Sequence, residues 1–381
     1  MRIGLIVPGR IDRTTGGSIY DRYLRDYLIS EGNRVDILSI PDLPYQLSLL
    51  CSLPISAVLS IVLASRRYDL IVEDAWTHPG LAFLNLLRRT RKPRTAIIVH
   101  QLRSIEAKTR IGRLMAASVE KRALRSASLI ITVSSYMRAE IEDLIGSAEI
   151  IVAPPGYDRL STCQTSSNSQ PEDRVPNRAA CNETDRRAYD LPSPIKLLFV
   201  GNVVRRKGLD HLIRALSLLD NRAVKLDVIG DHSFDARFYR ELRNLVASCS
   251  LEDVVTFHGS VSDVRLNALY KSADLLVMPS TYEGYGIVYA EAMQAGLPII
   301  AARGGPVSEI VRDGENALLV PPGDPCSLAE AITSLSVDLE KRKAFGRTSL
   351  ELASKLVTWR NTCKTIDRHF QRLLNSAPKT D

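Results

Sequence analysis

Paired cysteines are missing from this sequence. Its six cysteines, Cys51, Cys163, Cys181, Cys249, Cys326 and Cys363, include no CxxC spacing, and no histidine is placed to complete a zinc site with them. A zinc module is excluded, and scattered thiols in a chain of 381 residues fit a reducing compartment. The apolar core of a signal peptide is missing too. The opening run Arg2-Ile3-Gly4-Leu5-Ile6-Val7-Pro8 is too short for one and reads instead as a buried strand. No GxGxxG fingerprint follows that strand, and Asp36 lies inside the second strand, a poor match for a NAD ribose clamp. A dehydrogenase therefore ranks last among the possible enzyme classes.

Charge is unevenly spread. Lys plus Arg is 50 and Asp plus Glu is 43, a formal +7, and residues 1–150 carry +6 of it. Charged residues at 24% and hydrophobic ones at 45% exclude a disordered chain, a collagen-like rod and a polytopic membrane protein. Between Arg88 and Arg125 stand 12 basic residues against Glu106 and Glu120 alone. Such a stretch is either a solvated helical face or a surface for an anionic partner. It contains no Phe, Tyr or Trp, so base stacking on nucleic acid is unsupported. Conversely, Leu43 to Ser65 contains no charge at all. That length could cross a bilayer, but Pro44, Pro54, Gln46 and five serines argue for a helix packed in the domain or resting on a membrane surface.

Short β-rich runs alternate with helical segments. The first half offers strands at 2–8, 34–40, 69–73, 94–100, 128–133 and 149–153, with helices at 17–31, 44–66, 79–90, 108–126 and 135–145. Residues 158–193 are polar and carry no apolar run, as a linker does. The pattern then restarts: Lys196-Leu197-Leu198-Phe199-Val200-Gly201-Asn202 echoes the opening of the chain. Further strands are expected at 224–229, 254–257, 274–278, 298–301 and 317–320, and a terminal helix over 351–374. Two Rossmann-like parallel-sheet domains follow, 1–157 and 194–354, with the linker at 158–193 and a C-terminal helix and tail at 355–381. In such sheets ligands lie beyond the carboxyl ends of the strands, so the expected active site is the cleft between facing domains. Whether the last helix covers the second domain or crosses back to the first is left open.

Three motifs carry chemistry. Gly16-Gly17-Ser18 opens the first helix, where glycines let backbone N–H groups approach a phosphate or a sugar. Gly201-Asn202-Val203-Val204-Arg205-Arg206-Lys207-Gly208 places three consecutive cations at a helix entry, suited to a diphosphate. The third motif runs from Ser280 to Ile300 and contains Glu283-Gly284-Tyr285-Gly286-Ile287 and Glu291. A carboxylate accepts two hydrogen bonds from vicinal hydroxyls, so Glu291 suits a ribose and Glu283 a sugar hydroxyl; the amides of Gly284 to Ile287 are donors at a helix start.

The Glu-x7-Glu spacing in GYGIVYAEAMQAGLPII, followed by GGPVSEIVRDGENALLVPPGD, resembles the retaining, nucleotide-sugar-dependent glycosyltransferases of the GT-B fold, family GT4. The Gly16-Gly17 loop, the RRKG turn, Ala153-Pro154-Pro155-Gly156-Tyr157-Asp158 and the C-terminal helix fall in that family's order. The resemblance implies that Arg206 and Lys207 neutralise the diphosphate and that Glu291 binds the ribose. It implies that Glu283, with the amides of Gly284, Tyr285 and Gly286, holds the donor sugar. It also places His100 near sugar and acceptor, and Gly17 in the loop that approaches them. Where family members often carry Arg, this chain has Asn202, which leaves the diphosphate to Arg205 or Arg206.

The resemblance further implies transfer of a sugar from an NDP-sugar to a sugar, lipid-linked or phosphorylated acceptor, by front-face attack with retention. A covalent route would need a carboxylate nucleophile on the first domain, and none is evident. No DxD-like motif stands out, since Asp36, Asp42, Asp69 and Asp74 are scattered, so no metal cofactor is expected. The expected location is the cytoplasm, on the inner face of an anionic membrane. The rivals are a GT-B epimerase or phosphorylase and, more remotely, an anionic-polymer binder.

Overall fold

The computed structural model describes residues 1–87, 93–107, 109–160, 194–219 and 223–375. The chain divides into two compact units: Met1–Gly156 together with the segment from Val357 onward, and Tyr157–Leu356. In the first, β1 (Arg2–Pro8), β2 (Arg34–Ile40), β3 (Leu70–Asp74), β4 (Arg94–Val99), β5 (Leu129–Thr132) and β6 (Ile150–Val152) form one sheet in the order β2-β1-β3-β4-β5-β6. In the second, β7 (Ile195–Val200), β8 (Val224–Ile229), β9 (Val255–Gly259), β10 (Leu275–Met278), β11 (Ile299–Ala302) and β12 (Ala317–Val320) pair as β12-β11-β10-β7-β8-β9. Every pairing is parallel. The central strands are apolar along their whole length because helices cover both faces: all four residues of β10 and of β11 are buried. All twelve expected strands are present, so the fold class is as the alternation predicts.

The departures lie among the helices. The expected helix 44–66 is two, Tyr45–Leu50 and Ser52–Arg66, broken at Cys51. The serines that spoke against a membrane span have a job inside the protein. Ser52 Oγ and Ser56 Oγ, both buried, accept hydrogen bonds from the N–H groups of Phe83 (2.9 Å) and Leu84 (3.1 Å) at the start of the helix Ala82–Leu87. Those amides open a helix and have no intrahelical acceptor. No helix among the described residues is long and apolar enough to cross a membrane. Asp36, inside β2, is held by Arg2 Nη2 (3.0 Å) and the Tyr68 hydroxyl (3.0 Å), a purely structural engagement. Cys51, Cys249, Cys326 and Cys363 are free thiols; Cys163 and Cys181 lie outside the described residues.

The expected terminal helix 351–374 is also interrupted. Leu339–Ala353 ends in the second unit, and Trp359–Asn375 belongs to the first. Trp359 anchors it, stacked on Tyr23 at a centroid distance of 4.3 Å and 5° between planes, while Thr362 Oγ1 donates to the Pro154 carbonyl at 2.6 Å. Trp359, Ile366, Phe370 and Leu373 are buried on one face, as their spacing predicts. Gly156 permits this docking: a Cβ there would sit 2.1 Å from the Trp359 nitrogen. Of the expected linker, 158–160 fold into the second unit and 161–193 lie outside the described residues.

Candidate active site

Both sheets reverse their strand order once, between β1 and β3 and between β7 and β10. Such switch points leave a crevice beyond the carboxyl ends of the strands. The predicted residues fall there: Gly16 and Gly17 after β1, Asn202 to Lys207 after β7, and Glu283 to Ile287 after β10.

In the second unit, Gly208 (φ 68°) ends the one-turn helix Arg205–Lys207 and starts Leu209–Leu216. A Cβ on Gly208 would lie 2.3 Å from the Pro279 carbonyl oxygen, so the basic turn can approach the end of β10 only with glycine here. The two loops are then tied by Thr281 N and Oγ1, which both donate to the Arg206 carbonyl at 2.8 and 3.2 Å. This brings Lys207 Nζ into an ion pair with Glu283, with Arg206 Nη1 at 3.9 Å from the other carboxylate oxygen. Lys207 and Glu283 side chains are only 11% and 7% exposed. Burial works to raise the Glu283 pKa, but Lys207 and Arg206 outweigh it and hold the carboxyl below its usual range. Arg205 does not join them. It pairs with Glu241 and lies over the Phe238 ring at 4.7 Å. Asn202 carries a backbone role, its carbonyl accepting from Val204 N at 2.9 Å.

Gly284, Tyr285 and Gly286 form the turn into the helix Ile287–Gln294. Gly286 has φ 92° and faces the Tyr289 ring, where a Cβ would come to 2.5 Å. Glu291, on that helix, is fully buried. Arg159 Nε donates to its Oε1 and Nη2 forms an ion pair with the same oxygen (2.8 Å each), and the Tyr270 hydroxyl donates to Oε2 at 3.0 Å. Burial pushes the Glu291 pKa up, and Arg159 opposes it. Sequence reading missed Arg159 and Tyr270. Arg159 directly follows the Asp158 that marked the domain exit, and nothing local to it signals a partner 132 residues away.

In the first unit His100 follows β4 and sits under the opening turn of the helix Gly16–Ser30. Gly17 packs onto the imidazole, where a Cβ would lie 3.0 Å from His100 Cδ2. Tyr20 meets the same ring edge-on at 5.1 Å. His100 Nε2 lies 3.8 Å from Asp21 Oδ1 and 4.0 Å from Asp74 Oδ2. The donor atoms of the three residues all lie within 4.8 Å of one another. Asp21 was missed in the sequence, although its i,i+4 spacing from Gly17 puts both on one helix face. Asp74 was noted only as a scattered acid. Folding places it at the carboxyl end of β3, beside β4.

Burial pushes the Asp21 and Asp74 carboxyls up to about 7, and pushes the His100 pKa down. The folded-state carboxyl values exceed the unfolded ones, so folding favours the protonated form. The pair's contribution to stability is therefore fully present below about pH 4 and is lost as pH rises to about 7. Asp21→Asn should shrink that loss, measured by urea unfolding at pH 4, 6 and 8. An equal fall in parent and variant would remove the buried pair as its source.

Two family models match this chain: Glycosyltransferase Family 4 over residues 15–159, and Glycosyl transferases group 1 over residues 182–351. Among curated proteins, the D-inositol 3-phosphate glycosyltransferase of Pseudarthrobacter chlorophenolicus is 29% identical over 339 residues, covering 82% of this chain and 75% of that one. The like-named enzyme of Xylanimonas cellulosilytica is 34% identical over 229 residues, 58% of this chain, and the match spans about half of its length (52%). Among solved structures, sucrose-phosphate synthase (tll1590) from Thermosynechococcus elongatus has a TM-score of 0.80 at 22% identity, covering 99% of this chain and 100% of that one. Anabaena Alr3699/HepE in complex with UDP-glucose has a TM-score of 0.73 at 22% identity, covering 98% and 100%. At that identity the likeness is one of fold. With both halves matched in order and two switch-point sheets of this topology, the chain belongs to the group 1, GT4-type glycosyltransferases and has the GT-B fold.

Proposed function

We propose that this chain transfers a sugar from a nucleotide-diphosphate sugar to an acceptor hydroxyl with retention at the anomeric carbon. The observation that carries the reading is the Arg206–Lys207–Glu283 cluster at the switch point of the second sheet. Two cations stand where a diphosphate would lie, and the carboxylate can accept from a sugar hydroxyl. A protein of the same fold is described in complex with UDP-glucose, which is consistent with such a donor. The second unit would hold the donor, with Glu291 on the ribose and the Gly284–Ile287 turn on the sugar. The first unit would hold the acceptor near His100 and Gly17.

In the proposed step the acceptor oxygen bonds to the anomeric carbon on the face the diphosphate leaves. The carbon–oxygen bond to the diphosphate breaks, and the acceptor proton passes to a phosphate oxygen. Lys207 and Arg206 take up the charge that develops there. No protein nucleophile and no metal cofactor is invoked. The test is thermal shift with UDP, GDP, ADP and dTDP sugars, followed by product analysis with and without EDTA. One donor should raise the melting temperature, because a ligand that binds only the native state stabilises it by mass action. No shift with any donor would sink the reading. Loss of activity with EDTA would remove metal independence, and an isomerised sugar made without acceptor would point to an epimerase.

We also propose peripheral binding to an anionic membrane. The helix Ser52–Arg66 is apolar on both faces: Leu59 and Leu63 pack in the core, while Leu53, Val58 and Ile61 are 57%, 64% and 71% exposed. The helix Arg110–Ser126 exposes Ile111 and Leu114 beside Arg110 and Arg113. Ala82–Leu87 packs against both helices. Salt-sensitive co-sedimentation with anionic vesicles is the test, and no sedimentation at low salt would remove the proposal.

A further inference from the structure

One cation of the first unit makes no ion pair among the described residues, although Glu106, Asp42 and Glu120 act on it at longer range. Arg103 follows β4, three residues beyond His100, and opens the short helix Arg103–Glu106. Its guanidinium carbon lies 4.0 Å from the centre of the Trp76 ring and 5.9 Å from that of Tyr45. Its Nε is buried and has no hydrogen-bond partner, and among the described residues no carboxylate reaches the guanidinium as an ion pair. Three carboxylates stand in the neighbourhood, and each is engaged elsewhere. Asp42 pairs with Arg13. Glu106 accepts from Gln101. Glu120 accepts from the backbone N–H groups of Arg103 (2.5 Å) and Ser104 (3.2 Å), where it serves the helix start.

Around the guanidinium stand further orphaned polar atoms. The Tyr45 hydroxyl is buried without a partner, and so are both ring nitrogens of His78, which is 1% exposed. Burial and then the Arg103 charge push the His78 pKa down to about 3, so the imidazole is neutral and offers one N–H and one acceptor. Burial pushes the Tyr45 hydroxyl up to about 12, so it keeps its proton. Buried polar groups are rarely left unpaired, so several around one cation call for a polar partner, a ligand or ordered water.

The position fits an acceptor. Trp76 donates its backbone N–H to Asp74 Oδ1 at 2.7 Å, and the other oxygen of Asp74 lies 4.0 Å from His100 Nε2. The cluster therefore adjoins the His100 site within the same unit. A guanidinium held over an indole face is anchored there and keeps N–H groups for an oxyanion. A guanidinium fork, a phenol and an imidazole N–H converge as donors, and a phosphate, with three terminal oxygens and a charge approaching −2, draws on them more strongly than a singly charged carboxylate.

We propose that Arg103, held over the Trp76 ring beside Tyr45 and His78, is the subsite for a phosphate group of the acceptor. The proposal rests on the transferase reading above, since it treats the first unit as the acceptor-binding one. The phosphate could be carried by a soluble molecule or by a lipid headgroup.

The test is calorimetric titration of the full chain with glycerol 3-phosphate, glycerol and UDP, in the parent, Arg103→Gln and Arg103→Lys. The parent should bind glycerol 3-phosphate at least tenfold tighter than glycerol. Arg103→Gln should abolish that preference. Arg103→Lys should keep only part of it, because a point charge replaces a fork. UDP should bind all three alike, and an unchanged far-UV spectrum and melting curve establish that the first unit, where Arg103 lies, is folded in the variants. A parent without the preference, or an Arg103→Gln protein that keeps it, overturns the proposal. If Arg103→Gln fails to fold, Arg103→Lys decides, and an undiminished preference there overturns it. Failure of the parent to bind any nucleotide or nucleotide sugar would count against the transferase reading and leave the phosphate result to stand by itself. Phosphatidylcholine vesicles with and without phosphatidic acid separate the sources. Phosphatidic-acid-dependent binding that Arg103→Gln loses assigns a lipid phosphate. Binding of vesicles by every variant, with no soluble phosphate bound by any, overturns the subsite.

Discussion

Lys207→Ala should lower turnover by about 100- to 1,000-fold, the range typical when one preorganised electrostatic donor to a developing negative charge is removed. The loss should fall on kcat, with a smaller change in donor KM, because the leaving diphosphate gains its charge only as the bond to sugar breaks. The buried setting sharpens the expectation. Lys207 is 11% exposed, so its charge acts on a neighbouring phosphate with little screening by water. The substitution also strips Glu283 of its close partner and leaves Arg206 at 3.9 Å. A fall in stability is thus expected alongside the loss of turnover. UDP titration and a melting curve separate the two effects. A folded, UDP-binding Lys207→Ala protein with near-normal turnover would sink the assigned role. Glu283→Gln keeps the side chain's shape and its ability to accept from a sugar hydroxyl, and should be milder.

The second large effect is on stability. Arg159→Ala should destabilise the second unit by about 3–5 kcal/mol at neutral pH, the usual loss when one member of a buried ion pair is removed. Arg159 is 10% and Glu291 1% exposed, and after the substitution only the Tyr270 hydroxyl would still donate to that carboxylate. The sign of the pH dependence follows from burial. Glu291 already has a raised pKa, and losing Arg159 raises it further. A carboxyl whose folded value exceeds its unfolded one costs stability fully above the folded value, and that cost fades as pH falls to the unfolded value. The deficit of Arg159→Ala should therefore shrink as pH falls toward 5, and Glu291→Gln added to it should recover much of the loss at pH 8. Urea unfolding of both variants at the two pH values is the measurement. A deficit independent of pH, with no recovery in the double variant, would show that the pair is not its source.

These two residues mark the limit of what could be read along the chain. Lys207 was legible because its motif is local. A strand, three cations and a glycine in sequence fix a turn at a helix entry, and Gly208 with φ 68° is that turn. Glu283 and Gly286 were legible for the same reason. Arg159 was not, because it lies in a turn and its partner is 132 positions on, in the helix Ile287–Gln294. Asp74 and His100 were each visible, but their meeting depends on β3 and β4 lying side by side. Arg103 was one of twelve cations in a stretch whose plainest reading was solvation, and only the Trp76 ring under its guanidinium sets it apart.

By itself, then, the sequence determined the twelve strands, the two α/β halves, the family and the glycine-flanked motifs at the sheet edges, since apolar periodicity and turn chemistry act between near neighbours. Tertiary structure decided where the C-terminal helix docks, that the uncharged stretch is two helices with inward serines, which arginine faces Glu283, and which carboxylates are buried together. Each of those is set by burial and by contacts between residues far apart in the chain. The energy of a charge depends on what surrounds it after folding, and no local pattern carries that information.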